Sequence, residues 1–164
     1  MTVAMQRLIM SMQQLTDTFH EAVFTAHDVD AAMAVVAETG TWESVPVHGP
    51  LDGPALRRHL ADDVLPHLPA DLSFRRVSRT ADIRKLVDER IVGFTHDREM
   101  PWLLPGVAPT HRRAEVLAIS IVSFTHRTRS AVTTSEISAH RTLWDHSTLR
   151  AQLGLDHPAV RAAS

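Results

Sequence analysis

Hydrophobic and polar positions in the first third of the chain follow the spacing of helices. Apolar residues recur at steps of three and four, at Met5, Leu8, Met12, Leu15 and Phe19. This stripe predicts an amphipathic helix that continues to about Ala26. Asp28 is placed to cap a second helix, which the pattern carries through Val36 to an end at Thr39-Gly40.

A third helix is predicted after the turn signals Gly49-Pro50 and Gly53-Pro54, because proline is favoured in the first turn of a helix. Pro66 stops this helix, and its buried face is formed by Leu56, Leu60 and Val64. Between the second and third helices, residues 42–47 are predicted to form a short extended stretch.

The second half of the chain changes to the two-residue period of strands. Strands are predicted at residues 72–77, 86–96 and 114–125, with a fourth between 132 and 144. Asp145 then begins a short final helix that ends at Gly154. Helices followed by a meander of strands indicate an α+β fold with a mostly antiparallel sheet.

Composition limits the classes of function. The 164 residues are 44% hydrophobic and 22% charged, with a net charge of −2. No basic stripe indicates nucleic acid and no apolar run could span a bilayer, so we expect neither partner and a cytoplasmic protein. One domain is predicted over residues 1–156, with a frayed tail at 157–164. Without cysteine there are no disulfides and no thiolate catalysis.

The strongest chemical signal lies in residues 86–116, which look like two strands joined by a turn rich in proline and glycine. The first strand ends at His96-Asp97, Glu99 follows, and an apolar Trp102-Leu103-Leu104 stretch comes next. Titratable groups beside an apolar wall are typical of small-molecule acid–base sites. The spacing does not make a convincing metal site, and neither a metal nor a cofactor is expected.

Side-chain alternation assigns one face of the first of these strands to a pocket. Val92, Phe94 and His96 share that face, with Asp88 and Arg90 further along it. Burial at the rim of an apolar cavity would lower the pKa of His96 and keep the imidazole neutral, as a general base requires. Alternatively, His96 only hydrogen-bonds the turn, and Asp88 belongs to a salt-bridged surface with Arg90.

The other candidate side chains have two interpretations each. Glu99 either supplies a carboxylate to His96 or is a solvated turn residue. Asp145 either supplies a proton or caps the last helix. Trp102 and the neighbouring Leu103 form either a lid over a ligand or a hydrophobic turn packed in a dimer, while Trp144 is expected to wall the pocket.

Taken in order, motifs between residues 28 and 156 resemble the SnoaL-like branch of the nuclear transport factor 2-like superfamily. The similarity is closest to SnoaL-like proteins labelled carboxymethylenebutenolidase-related. The matching segments are His67-Leu68-Pro69 with Asp71, Val77-Ser78-Arg79-Thr80, Val87-Asp88-Glu89, Phe94-Thr95-His96, Glu99, Trp102-Leu103-Leu104-Pro105-Gly106-Val107, Pro109-Thr110 with Arg112-Arg113, and Trp144-Asp145 with Gln152-Leu153-Gly154-Leu155.

The resemblance implies a cone-shaped α+β barrel in which a curved sheet wraps around helices and encloses an apolar pocket. It also implies dimers through the sheet and acid–base chemistry on small organic molecules, often without a cofactor. Cyclisation, dehydration, isomerisation and epoxide opening all occur among relatives. Other relatives only bind ligands, so the fold alone does not establish catalysis.

Two segments depart from the family pattern. Glu43-Ser44 stands where relatives tend to carry Asn-His, and residues 125–139 replace a short hairpin that often contains Asp-Gly. The His-Glu-His that relatives place before Trp144-Asp145 is not clearly preserved, although His140 and Arg141 lie nearby.

The sequence thus predicts a lyase, isomerase or cyclase that acts on a hydrophobic carbonyl or polyketide-like metabolite, in a homodimer. In this hypothesis His96 is the base, and its carboxylate partners come from Asp145, Glu99 and Asp88. The pocket walls are then Phe94, Trp102, Leu103, Trp144 and Val92. The alternative is a non-catalytic ligand-binding or dimerisation module. A lactone hydrolase is a weaker third possibility, because the chain has neither a Gly-x-Ser-x-Gly elbow nor a cysteine.

Overall fold

The apolar stripe at the N-terminus folds into helix α1 (Val3–Glu21), as the spacing predicts. The computed structural model of the chain describes residues 1–155, so the predicted tail at 157–164 lies outside the described residues. Thr2 caps α1, because its Oγ1 accepts the Met5 N–H at 3.2 Å. The helix widens into a π-helical turn over Ala22–Ala26 and ends at His27, whose φ is +54°.

Helix α2 (Val29–Ala34) is shorter than predicted. The Asp28 cap is confirmed, since its Oδ1 accepts the Ala31 N–H at 3.0 Å. The extension through Val36 to Thr39-Gly40 is wrong, because strand β1 (Val36–Val45) begins there. Val36 pairs with Ile137 of the last strand, and this pairing of β-branched residues outweighs a local helical spacing.

Strand β2 (His48–Asp52) was not predicted, because Gly49-Pro50 is typical of a turn. The strand lies at the edge of the sheet, where proline is tolerated. Helix α3 (Gly53–Arg58) follows and continues as a π-helical turn over His59–Val64, which confirms the third helix. Its buried side chains are Leu56, Leu60 and Val64.

The four strands of the second half are confirmed: β3 (Ser73–Ala81), β4 (Lys85–Thr95), β5 (Arg113–Arg129) and β6 (Val132–Trp144). Of these, β3 and β5 are longer than predicted. The final helix is α4 (His146–Gln152). The strand order is β2-β1-β6-β5-β4-β3. Only the β1–β6 pair is parallel among the described strands, so the sheet is mostly antiparallel.

Bulges bend this sheet into a cone. The register shifts in β1 after Trp42, in β3 after Arg76 and in β5 after Ser123, and each shift increases the local bend of a strand. The β5–β6 hairpin turns at Ser130 and Ala131, which both adopt positive φ without glycine. No helix within residues 1–155 is long and apolar enough to cross a membrane.

Candidate active site

Strand β4 turns its even-numbered positions towards the interior, which confirms the face that alternation predicts. Leu86, Val92 and Phe94 are fully buried there, whereas Val87 on the other face is exposed. The concave face of the sheet therefore meets α1 and the turn that follows β4.

A cavity lies between α1, the concave face and this turn. The walls enclose about 520 Å³, with the mouth included, and the centre of a water molecule can reach about 40 Å³ of that space. A planar ligand larger than a few waters therefore enters only if wall side chains move. The aromatic walls are Phe19, Phe24, Trp42, Phe74, Trp102 and Trp144, and the polar lining consists of His20, Ser44, Arg90, Ser120, His140 and Thr142.

Two histidines in this lining are held neutral. Burial, followed by the positive charge of Arg90, lowers the pKa of His20 to about 3 and that of His140 to about 4. His20 Nε2 and His140 Nδ1 are buried and have no hydrogen-bond partner among the described residues. Each nitrogen is therefore free to bond a ligand, and the cost of burying it unpaired would then be recovered.

The three tryptophans of the lining differ in their hydrogen bonding. Trp144 Nε1 donates to Ser44 Oγ at 3.0 Å, and Trp102 Nε1 donates to the carbonyl oxygen of His67 at 3.2 Å. These bonds fix one wall to β1 and the other to the 3₁₀ turn Leu65–His67, which follows the third helix. Trp42 Nε1 is buried without a partner among the described residues, so it is an unused donor beside the cavity.

A partly buried ion-pair network supports the charged end of the cavity. Arg79 donates to both oxygens of Asp88, from Nε at 2.6 Å and from Nη2 at 2.7 Å. Arg90 Nη2 donates to Asp88 Oδ2 at 2.9 Å. Arg79 also bonds Asp17 of α1, and Arg76 approaches both carboxylates. The salt bridge considered for Asp88 and Arg90 is confirmed, but its surface location is wrong, because the two side chains are only 1% and 13% exposed.

Asp88 does not line the cavity, although it was a predicted carboxylate partner. The arginines that surround it keep its pKa below the ordinary value, against the effect of burial. A carboxylate held ionised by three guanidinium groups is a weak proton acceptor. Its evident effect is to hold Arg79 and Arg90 in place.

His96 is fully buried, but it lies outside the cavity lining. Its Nδ1 accepts the Thr110 N–H at 3.2 Å and lies 3.1 Å from Thr110 Oγ1, so the ring ties the end of β4 to the returning chain. Burial lowers the pKa of His96. The main chain continues this link, since His96 N–H donates to the carbonyl oxygen of Arg112.

The remaining predicted residues are divided between the cavity, the core and the surface. Val92, Trp102 and Trp144 line the cavity, whereas Phe94 and Leu103 are fully buried elsewhere in the core. Glu99 is exposed, and its backbone carbonyl accepts from His67 Nδ1 at 3.1 Å. Asp145 is exposed and caps α4, because its Oδ1 accepts the Thr148 N–H at 3.2 Å. The capping role considered for Asp145 is confirmed.

Sequence reasoning missed the two cavity histidines as candidates, although patterns for both exist. His140 precedes Trp144 by four positions on a strand, so both side chains share one face. His20 adjoins Phe19, at the C-terminal end of the apolar stripe of α1. What the pattern could not provide is the bend of the sheet that brings α1 over β6.

Within residues 1–155, no group of three or more histidine, aspartate or glutamate side chains is placed to hold a metal ion. The polar groups of the cavity are imidazole, guanidinium, indole and hydroxyl groups. These groups suit hydrogen bonding and proton transfer to an organic ligand.

No family model matches the chain, and no curated protein matches its sequence. Solved structures do match in fold. AclR of Streptomyces galilaeus, assigned as a hydroxylase, is 16% identical, with 94% of this chain and 91% of AclR covered at a TM-score of 0.65. A protein of Jannaschia sp. CCS1, assigned as a SnoaL-like polyketide cyclase, is 11% identical, with 89% and 94% covered at 0.63.

A third similar structure is SalBIII, an epoxide hydrolase/cyclase-like enzyme with a role in pyran ring formation in the polyether salinomycin. It is 15% identical, with 87% of this chain and 94% of SalBIII covered at a TM-score of 0.58. At these identities the comparisons establish the fold alone.

Proposed function

We propose, for a chain that has the SnoaL-like, nuclear transport factor 2-like fold, an acid–base activity on a small hydrophobic carbonyl compound of polyketide type. The observation that carries the proposal is the meeting of two neutral histidines and one guanidinium in a single aromatic-walled cavity. The activities of the similar structures are compatible with it but belong to those proteins.

The proposed mechanism begins with removal of a proton from the carbon next to the carbonyl group. Neutral His140 accepts this proton, because its pKa of about 4 is higher than the pKa of about 3 of His20 and it is therefore the stronger base. Negative charge then develops on the carbonyl oxygen. Arg90 and the unused N–H of Trp42 are the groups that stabilise it. The resulting enolate can then attack, eliminate or be reprotonated elsewhere.

The aromatic walls give the proposal its substrate class. Phe24 and Phe74 lie 4.8 Å apart between ring centroids, and Trp102 and Trp144 lie 6.0 Å apart. Rings at these separations pack against each other and form continuous apolar walls, on which a flat conjugated ligand can stack or lie edge-on. Their apolar surface also excludes water from the histidines, which keeps proton transfer within the site.

The test is deuterium exchange into 2-tetralone in D₂O, followed by NMR, because this ketone is small, flat and enolisable. The His140→Ala variant should lose about a hundredfold or more of the exchange rate. His20→Ala tests the second imidazole, and His96→Ala tests the base that the sequence predicts. His126→Gln, on the β5–β6 hairpin away from the cavity, is the matched control.

Exchange that is unaffected by replacement of His140 and His20 would remove both from the mechanism. Loss of exchange in His96→Ala alone would favour the base predicted from the sequence. Binding of the ketone without any exchange above the buffer rate would favour the second candidate, a ligand-binding module. That candidate is supported by one observation: within residues 1–155, no carboxylate lines the cavity to pair with a histidine.

We also propose that two copies of the chain associate through the outer face of the sheet. Its central side chains are partly exposed and apolar, namely Ile91, Leu117, Ile119, Ile121 and Leu143. Glu43 and Arg141, 3.6 Å apart, lie on the same face beside them. An apolar centre with a charged edge is the usual composition of a homodimer interface.

A further inference from the structure

We infer that the ligand of this cavity is acidic: a flat aromatic or enolic compound whose carboxylate or enolate oxygen pairs with Arg90. The inference rests on the proposed function, since it names the class of molecule that the same site takes. Three features support it: the charge balance of the ion-pair network, the hydrogen-bonding capacity of Arg90 and the other unpaired groups of the cavity lining.

The network that ends at Arg90 carries an excess positive charge. Arg76, Arg79 and Arg90 contribute three positive charges, and Asp17 and Asp88 contribute two negative charges, which leaves one positive charge. Of the described residues that line the cavity, Arg90 alone is charged at neutral pH. The excess positive charge therefore acts in the cavity, where the low polarity strengthens its attraction for an anion.

Arg90 is also incompletely paired. Asp88 receives two hydrogen bonds from Arg79 and one from Arg90, so its charge is shared. Arg90 uses one of its five N–H donors, on Nη2, for its bond to Asp88. Its side chain is 13% exposed, and burial lowers its pKa. A guanidinium group that is desolvated and only partly neutralised favours an anion next to it.

The other unpaired polar groups near Arg90 suit an oxygen anion. The Trp42 indole N–H can only donate. His20 Nε2 donates in one of the two neutral tautomers of the ring. An oxyanion accepts several hydrogen bonds at once, whereas a neutral hydrocarbon would leave all of these groups unpaired.

An anion beside Arg90 has a consequence for the histidines. The Arg90 charge is the second cause, after burial, of the low pKa of both His20 and His140. Neutralising that charge raises both pKa values. Asp88 acts in the same direction on both histidines and Asp17 on His20, whereas His140 lowers the pKa of His20. Binding of an acidic ligand therefore makes the imidazoles better bases.

The test compares benzoate with benzamide, two flat probes of the same size that differ in charge. All three tryptophans of the chain line the cavity, so tryptophan fluorescence reports binding. Benzoate should bind about tenfold or more tightly than benzamide at neutral pH. Arg90→Gln should abolish the preference, and Arg90→Lys, which keeps the charge, should retain much of it.

Arg76→Gln is the comparison variant. It cancels the excess charge of the network but keeps the Arg90 guanidinium at the cavity, so the preference for benzoate should weaken and yet stay above that of Arg90→Gln. Far-UV circular dichroism checks that each variant is folded. Equal affinity for the two probes, no binding of benzoate to the folded wild-type protein, or a preference that persists in Arg90→Gln would overturn the inference. Equal probe affinities together with loss of exchange in His140→Ala would overturn it while leaving the proposed function intact.

Discussion

Arg79 binds Asp88 with two hydrogen bonds, 2.6 Å from Nε to Oδ1 and 2.7 Å from Nη2 to Oδ2, across neighbouring strands β3 and β4. Both side chains are largely buried, at 10% and 1% exposure. Burying a pair of this kind costs the desolvation of both ions, so replacing both partners and replacing only one have different effects on stability. Replacing only one partner leaves the other charge buried without compensation.

The Asp88→Asn variant should therefore lose stability. It preserves the shape of the side chain but leaves Arg79 and Arg90 without their shared anion, which should lower the free energy of unfolding by about 3 kcal/mol. Urea unfolding measures this loss. Asp17→Asn is the control, because Asp17 binds the same Arg79 from a half-exposed position and should cost at most about 1 kcal/mol. Equal losses in the two variants would contradict the special role of Asp88.

Stability should fall as the solution is acidified from pH 6.5 towards pH 4. The pKa of His140 is lowered from 6.5 to about 4, so the unfolded chain takes up a proton in this range while the folded protein does not. Since each pKa unit corresponds to about 1.4 kcal/mol, His140 should contribute a loss of about 3 kcal/mol by pH 4. His20 acts in the same direction.

Denaturant unfolding at a series of pH values measures this slope, and His140→Phe should make it shallower. The Asp17 and Asp88 carboxylates have lowered pKa values, so their contribution is lost at a lower pH, as it falls through and below 3.8. A free energy of unfolding that is constant between pH 6.5 and 4.5 would show that the histidines are not held neutral by the fold.

Gly40 should resist replacement by alanine. A Cβ atom there would lie 2.7 Å from the carbonyl oxygen of Ile137 and 2.9 Å from that of Ala37, at the irregular start of the β1–β6 pairing. The strands would have to separate, which should lower the free energy of unfolding by about 1 to 3 kcal/mol. Gly49→Ala is the control, because no atom lies within 4 Å of its added Cβ. Thermal unfolding measures the stability of both variants. An equal loss in the two would refute the close approach at Gly40.

A charge at the centre of the outer face should separate the proposed dimer. Ile119 faces outwards, opposite Glu89 on β4 and Leu143 on β6. Ile119→Glu should therefore convert a species of twice 18.2 kDa into one of 18.2 kDa, as measured by light scattering after size exclusion. Thr125→Glu, at an exposed position of the same strand, should leave the mass unchanged. A wild-type protein that is monomeric at high concentration would refute the association.

Local patterns determined the elements with a single strong signal. The apolar stripe of α1, the caps at Asp28 and Asp145 and the alternation of β4 all follow from interactions within a few residues, and each was predicted correctly. Errors arose where distant partners decide. Val36 joins β1 because Ile137 is there to pair with it, and the Gly49-Pro50 segment becomes a strand because β1 offers an edge.

The sequence by itself determined helix α1, the four strands of the second half, the α+β class and which face of β4 is buried, because alternation and capping act over a few residues. Only the tertiary structure decided which titratable groups meet. His20, Arg90 and His140 are 50 or more positions apart, and they converge because the bulged sheet bends around α1. His96 carries the strongest local signal, yet the same bend places it with Thr110, outside the cavity lining. Curvature sums many small shifts of register, and no short stretch of sequence contains it.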